Sequence, residues 1–327
     1  MNPTWVIMPV VANMEMTRAA ISDVLAQSVP VRLLIVNQGC PDDMRTELER
    51  IAEEHSERVF CWHHMPPLLS LAATWNRALD FVWETGGAEA LVVNNDVRLH
   101  AGTVQILSTV QISTQALFVS CVGVTEDQFD ARMNEAELWT AVTGLALNNV
   151  GIVPPENRGG PDFSCFLISA ACHAHFRFDE HFTPAYCEDL DFHRRLMLAG
   201  EGARIFSVNL PYLHYGAATL KAVDEKTKVR IERGITDGSR AYYARKWGGP
   251  VNEERFWEPF QQGNPDLVRP PLEIDPAMRA LDQPTTPKLQ AYVQQRALAP
   301  TLTDVAALDE LLADTEAPAS PCEESHD

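Results

Sequence analysis

Apolar residues along this chain fall into two alternating patterns. Short unbroken runs, Trp5–Met8, Val31–Val36 (broken only by Arg32), Val59–Trp62 and Leu91–Val93, have the composition of strands buried on both faces. Between them, apolar residues recur every three or four positions: Thr17–Gln27 with Ala20, Ile21, Val24 and Leu25, then Met44–His55, then Leu69–Glu84 with Leu71, Trp75, Leu79 and Val82. Pro9 is the expected stop of the first strand, Thr17 the N-cap of the first helix, and Gly86-Gly87 the end of the third. This alternation predicts an α/β fold, a parallel sheet with helices on its faces.

The pattern continues with a helix over Gly102–Ser113 and a strand over Ala116–Val122. Thr125–Pro161 is polar, then rich in Gly, Asn and Pro, and reads as an insertion or the border of an active site. Phe163–Ser169 returns to strand composition. A short helix over Ala170–Phe176, a loop over Phe178–Glu188 and a helix over Leu190–Ala199 follow. Ala203–Val208 and Tyr212–Tyr215 predict two short strands, and Thr227–Lys246 a helix. Pro265–Pro287 carries six prolines and reads as a wrapping linker before short helices over Leu289–Ala297 and Val305–Leu312. From Thr315 the composition is that of a disordered tail.

Charge narrows the classes of function. The net charge is −19, which argues against a nonspecific hold on nucleic acid or on an anionic membrane surface. Thr301–Asp327 holds eight Asp or Glu and no Lys or Arg, and the remainder is still acidic. No apolar run approaches the ~20 residues that cross a bilayer, and the first residues lack the basic start of a secretory signal. The seven cysteines are scattered and never spaced as CxxC. They predict reduced thiols packed as small apolar groups in a cytoplasmic protein.

Candidate chemistry gathers at three places. Leu91–Val93 stops abruptly in Asn94, Asn95 and Asp96. Ligands collect at the carboxyl ends of strands in open α/β sheets, and a carboxylate there can hold a hard cation; alone, the three residues read first as an Asx turn. Glu188-Asp189-Leu190-Asp191 follows an aromatic-rich loop and carries more acids than helix capping requires. His214 ends a short strand. His63-His64 reads as a solvated turn, and His173 and His175, two apart on a helix, do not share a face. Neither GxGxxG nor GxxxxGK[ST] occurs, so the common phosphate-cradling turns are missing.

Together these segments resemble the inverting GT-A glycosyltransferases of the family 2 type, near their rhamnosyltransferase-like branch. The resemblance covers about residues 4–260. It rests on Pro9 and the helix end Leu25-Ala26-Gln27-Ser28, the turn Ile35-Val36-Asn37-Gln38-Gly39-Cys40-Pro41-Asp42, and Asn76. It continues through Asn94-Asn95-Asp96-Val97, Phe178-Asp179-Glu180-His181-Phe182 with Glu188-Asp189-Leu190-Asp191, His214, and Lys246-Trp247-Gly248-Gly249. Asn37 stands where the family has Asp, Trp75 where it has Arg, and the metal motif has one carboxylate.

The resemblance implies a GT-A fold with a mostly parallel, Rossmann-like central sheet, helices on both faces and a C-terminal helical or extended extension. It implies one domain over 1–260, with a nucleotide-binding half to about 125 and an acceptor-binding half from 126. Residues 261–314 are the linker and short helices, and 315–327 the acidic tail. It implies a hexosyltransferase-type enzyme using a nucleotide-diphosphate sugar and Mn2+ or Mg2+. Asp96 and His214 are then the metal ligands. Pro9, Asn37, Asn76, Asn94, Asn95 and Trp247 are the donor-side residues. Asp189 is the general base, with Glu188 as its rival. Trp247 reads equally as a core residue. The acceptor stays open: a glycan is the family default, with a protein, a small molecule or a modified nucleic acid as the others. A non-catalytic sugar-nucleotide or glycan binder of the same fold is the alternative, favoured by Asn37 and the Asn-rich motif and opposed by Asp96, Asp189 and His214.

Overall fold

The computed structural model describes residues 3–63, 70–133, 152–153, 161–216, 218–262 and 283–284. His64, most of the 125–161 stretch, nearly all of the Pro-rich linker, the two short C-terminal helices and the acidic tail lie outside them.

Chain order is β1 (Thr4–Val10), α1 (Met14–Leu25), β2 (Val31–Asn37), α2 (Asp42–Glu54), β3 (Val59–His63), α3 (Leu71–Glu84), β4 (Glu89–Val93), β5 (Val97–Arg98), α4 (Thr103–Thr114) and β6 (Phe118–Val124). There follow α5 (Glu126–Met133), β7 (Ile152–Val153), β8 (Cys165–Ser169), α6 (Ala170–His175), α7 (Glu188–Leu198) and β9 (Ile205–His214). The C-terminal part holds α8 (Ala218–Ala222), α9 (Glu225–Arg233), a π-helical stretch Gly234–Arg240, α10 (Ala241–Trp247) and β10 (Gln283–Pro284).

All strands join one sheet in the order β10-β3-β2-β1-β4-β8-β6-β9-β5, with β7 paired to β9. β3, β2, β1 and β4 are mutually parallel, as the alternation requires. β8 then enters antiparallel to both β4 and β6, while β9 runs parallel to β6. The expected halves on either side of residue 125 therefore share one mixed sheet.

The strand period of two divides the core into layers. Val6 and Met8 of β1 pack with Ala20, Ile21 and Val24 of α1 and with Met44 and Leu48 of α2. Trp5 and Ile7 point the other way, to Trp75, Leu79 and Val82 of α3 and Phe192 of α7. A small third cluster joins Phe182 and Cys187 to Tyr242, Tyr243 and Trp247.

Several local expectations change. Pro9 lies within β1 opposite Val36; registered pairing with β4 ends at Ile7, so its missing N–H costs no bond on that side. The N-cap of α1 is Asn13, in the left-handed region at φ 68°, which accepts from Met16 N–H. Thr17 lies one turn inside, bonded back to Asn13 O. The two expected strands over 203–215 are one: Pro211 sits beyond a register shift between Ser120 and Val122, where a missing ladder donor is tolerated. His63 is the buried last residue of β3, so the solvated turn expected for it is not found. The six described cysteines are buried and form no disulfide with one another. Among the described residues, no helix is long and apolar enough to cross a membrane.

Candidate active site

Strand directions bring the carboxyl ends of β4, β6 and β9 and the amino end of β8 to one edge. β4 runs out at Val93 beside Cys165, the first residue of β8. Asn94 N–H donates to Ser164 O at 3.0 Å, so the polar turn hangs directly beside the entry to β8. Asn95 fixes the turn from behind, donating its amide to Ala12 O and Thr17 Oγ, each at 2.8 Å. Asp96 is then held by backbone: its Oδ2 accepts from Ala218 N–H at 3.3 Å and its carbonyl from Tyr215 N–H at 3.1 Å.

His214 ends β9 opposite Val97. Its Nε2 stands 3.3 Å from Asp96 Oδ1. Burial alone would lower its pKa, but the hydrogen bond and charge of Asp96, with the charge of Asp162, raise it above the ordinary histidine value. A ring nitrogen and a carboxylate oxygen at this separation can share a divalent cation in place of the proton. Among the described residues, no three of His, Cys, Asp or Glu gather to hold a metal. This donor pair thus fits an ion that takes its other ligands from substrate or water.

Asp162 carries no signal in the sequence, being one acid behind a Gly- and Pro-rich stretch. Its Oδ1 accepts from Ser164 N–H at 2.9 Å, next to the Asn94 turn. Its Oδ2 would lie 3.0 Å from a Cβ at position 123, so Gly123 leaves room for it.

The third wall is the loop into α7. Tyr186 and Cys187 take consecutive left-handed φ values of 76° and 71° and turn the chain into the helix. Glu188 is buried, and its Oε2 has no hydrogen-bond partner. Burial, then the charge of Asp189, pushes its carboxyl well above the usual range. Asp189 is less deeply buried and accepts from Leu190 N–H at 2.8 Å. Its pKa is raised, chiefly by burial and further by Asp162 and Asp191, against the pull of two backbone N–H groups. Burial and the charges of Glu188, Asp96 and Asp189 raise the Tyr186 phenol, with Arg240 opposing. The charges of Asp96, Asp189 and Glu188 all reach the Tyr186 phenol, and that of Asp162 reaches both His214 and Asp189. A pocket of about 290 Å³ adjoins Asp96, lined by Asn13, Met16, Tyr215, Ala218, Lys221 and Ala222.

Other sequence candidates stand further back. Asn37 follows Val36, the neighbour of Pro9, at the end of β2. Its Oδ1 accepts from Gly39 and Cys40 N–H, and its amide donates to His63 Nδ1 at 2.8 Å. Both ends of the side chain thus shape the turn. Asn76 is buried in α3 and bonds Phe178 N and O, Glu180 Oε1 and His173 Nε2 at 2.8–3.1 Å. It braces the 178–180 segment from behind the cleft. Trp247 is 0% exposed, with its Nε1 on Asp191 Oδ1 at 3.0 Å. The stacking role expected for it does not fit, because no face of the ring is open. Asp191 pairs with Arg195 at 2.8 Å, as its i,i+4 spacing predicts.

This mixed sheet with its helices matches the GT-A fold of glycosyltransferases of solved structure. The structure is similar to a mannosyltransferase from Pyrobaculum calidifontis in complex with GDP-Man and Mn2+, at TM-score 0.50 and 14% identity, covering 95% of this chain and 79% of that one. It is also similar to glucosyl-3-phosphoglycerate synthase from Mycobacterium tuberculosis in complex with Mn2+, UDP and glucosyl-3-phosphoglycerate, at TM-score 0.48 and 15% identity over 76% and 81% of the two chains. S. aureus TarS in complex with UDP-GlcNAc is similar at TM-score 0.46 and 14% identity, over 71% and 65%. No protein-family model matches the sequence, and no curated protein sequence matches it.

Proposed function

We propose that this chain is a metal-dependent, inverting glycosyltransferase of the family 2 kind, moving a hexosyl group from a nucleotide-diphosphate sugar to an acceptor hydroxyl. The observation that carries this reading is the carboxylate–imidazole pair at the sheet edge, with an acidic helix start in electrostatic reach of the same residues. The Asp96–His214 pair is 3.3 Å apart, the charges of Asp96 and Asp189 both reach Tyr186, and that of Asp162 reaches both His214 and Asp189. A carboxylate–imidazole pair suits Mn2+ somewhat better than Mg2+. When bound there, such an ion neutralises charge that develops on a departing diphosphate.

The chain's own residues account for the rest. Asp189 accepts the proton of the acceptor hydroxyl as its oxygen bonds to the anomeric carbon and the bond from that carbon to the diphosphate oxygen breaks. Attack from the face opposite the leaving group inverts that carbon. Desolvation raises the basicity of Asp189, which improves it as a proton acceptor while it is ionised. Glu188, raised further and more deeply buried, is the less accessible of the two. The acceptor class implied by the family is a glycan.

The test is a thermal-shift panel of UDP-, GDP-, dTDP- and CDP-sugars with and without Mn2+. Ligand binding to the native state raises the melting temperature by mass action. One nucleotide class should raise it by several degrees in the presence of Mn2+ and much less in its absence. No shift with any of them would overturn the reading.

A further inference from the structure

Behind the 178–191 segment lies a set of buried charges that the transfer chemistry does not use. Lys246 is fully buried, with its Nζ 2.7 Å from Asp179 Oδ2 and 2.7 Å from Asp191 Oδ1; both carboxylates are fully buried as well. Two more side chains of α10 reach the same pair. Tyr242, one turn before Lys246, donates its hydroxyl to Asp179 Oδ2 at 2.8 Å, and Trp247 donates Nε1–H to Asp191 Oδ1. The outer oxygens are also taken: Asp179 Oδ1 accepts from His181 N–H at 3.1 Å, and Asp191 Oδ2 from Arg195 Nε–H.

Desolvating an ion cluster is expensive, and well-packed apolar residues hold helices together at least as well. What apolar residues cannot do is tie two separated chain positions to one point. Asp179 and Asp191 stand at the two ends of the segment that carries Tyr186, Glu188 and Asp189. Between them lie the consecutive left-handed residues Tyr186 and Cys187, a conformation that persists where its surroundings over-determine it.

We propose that Lys246 is a positioning residue: its single ammonium pins both ends of the 179–191 segment and so fixes where Asp189 and Glu188 stand in the cleft. The proposal rests on the transfer reading above for its consequence, not for its geometry. Asp96 and His214 hang from β4 and β9, outside the pinned segment, so the clamp acts on the acceptor side alone.

The test compares Lys246→Met and Tyr242→Phe with wild type, counting kcat per donor-binding site titrated by calorimetry, so that a smaller folded fraction does not pass for a slower enzyme. Misplacement of a catalytic group by about 1 Å costs ~100-fold in rate. Lys246→Met should lose about 10–100-fold in kcat with the donor KM within about twofold. Tyr242→Phe keeps the ring and the ammonium and should show a smaller loss with the same split. In both, the amides of His181 and Phe182, bonded to Asp179, should exchange hydrogen faster. Wild-type kcat per site in Lys246→Met, or a donor KM that rises in step with the loss, overturns the proposal. If Lys246→Met does not fold, Tyr242→Phe decides, and its unchanged kcat and exchange overturn it. If wild type transfers sugar from no donor, the transfer reading has failed; the exchange of His181 and Phe182 in Tyr242→Phe still tests the clamp, and unchanged rates reject it.

Discussion

Asp189 and Glu188 are adjacent on one helix turn yet meet different surroundings. Glu188 has an oxygen with no partner in the interior, while Asp189 is more open and holds a backbone N–H. The roles proposed for them rest on that difference. Asp189→Asn keeps size and hydrogen bonding but cannot take a proton. Transfer should fall by about 10²–10⁴, the usual contribution of a general base, with Mn2+-dependent nucleotide binding close to wild type. Steady-state transfer kinetics alongside calorimetry check both halves. If Glu188→Gln is dead while Asp189→Asn keeps near-normal transfer, the base is Glu188. Asp191, the third acid of the cluster, is taken up by Lys246, Arg195 and Trp247 and takes no proton from the acceptor, so Asp191→Asn should lose stability and slow transfer only through the weakened clamp, less than Asp189→Asn does.

Between elements, a second brace links α3 to the 173–180 stretch. Asn76 uses both its donors and its carbonyl there, so Asn76→Ala strands several buried polar groups. It should cost about 3 kcal/mol or more, read as a lower urea midpoint with unchanged slope. His173 belongs to the same link. Trp83 Nε1–H donates to its Nδ1 at 2.9 Å, and its Nε2 faces Asn76 Oδ1 at 3.1 Å, an arrangement that needs the neutral ring. Burial, with the charge of Arg177, lowers its pKa to about 4, against Asp80. The unfolded state therefore binds the extra proton between about pH 6.5 and 4, and stability falls as pH drops through that window. The full loss is roughly 3 kcal/mol, at about 1.4 kcal/mol per pKa unit. His173→Gln, which can accept and donate at the same places, should flatten that part of the acid slope in urea unfolding from pH 7 to 5. An unchanged slope would assign the acid loss to other groups.

Across the whole molecule, the parallel β3-β2-β1-β4 half was legible because unbroken apolar runs and helical spacing alternate there without exception. The antiparallel entry of β8 was not, since its composition matches a parallel strand and its partners lie far away in sequence. At the site, Asp96 was marked by a polar interruption at a strand end; His214, a lone histidine, was marked only by the resemblance, and the structure sets the two 3.3 Å apart. Asp162 had no such mark. The amides were the least legible: whether Asn76 or Asn37 faces a ligand or the protein depends on partners such as Phe178, 102 residues from Asn76. The acidic tail lies outside the described residues, and truncation after Ala313 is expected to leave melting temperature and nucleotide-sugar hydrolysis nearly unchanged; a loss of several degrees would overturn that expectation.

The measurement that bears most directly on the central claim is a calorimetric titration of the preferred nucleotide diphosphate, with and without Mn2+, into wild type, Asp96→Ala and His214→Ala. Mn2+-dependent affinity is expected in wild type, with its loss in Asp96→Ala and its weakening in His214→Ala. Metal-dependent affinity intact in both variants would contradict it.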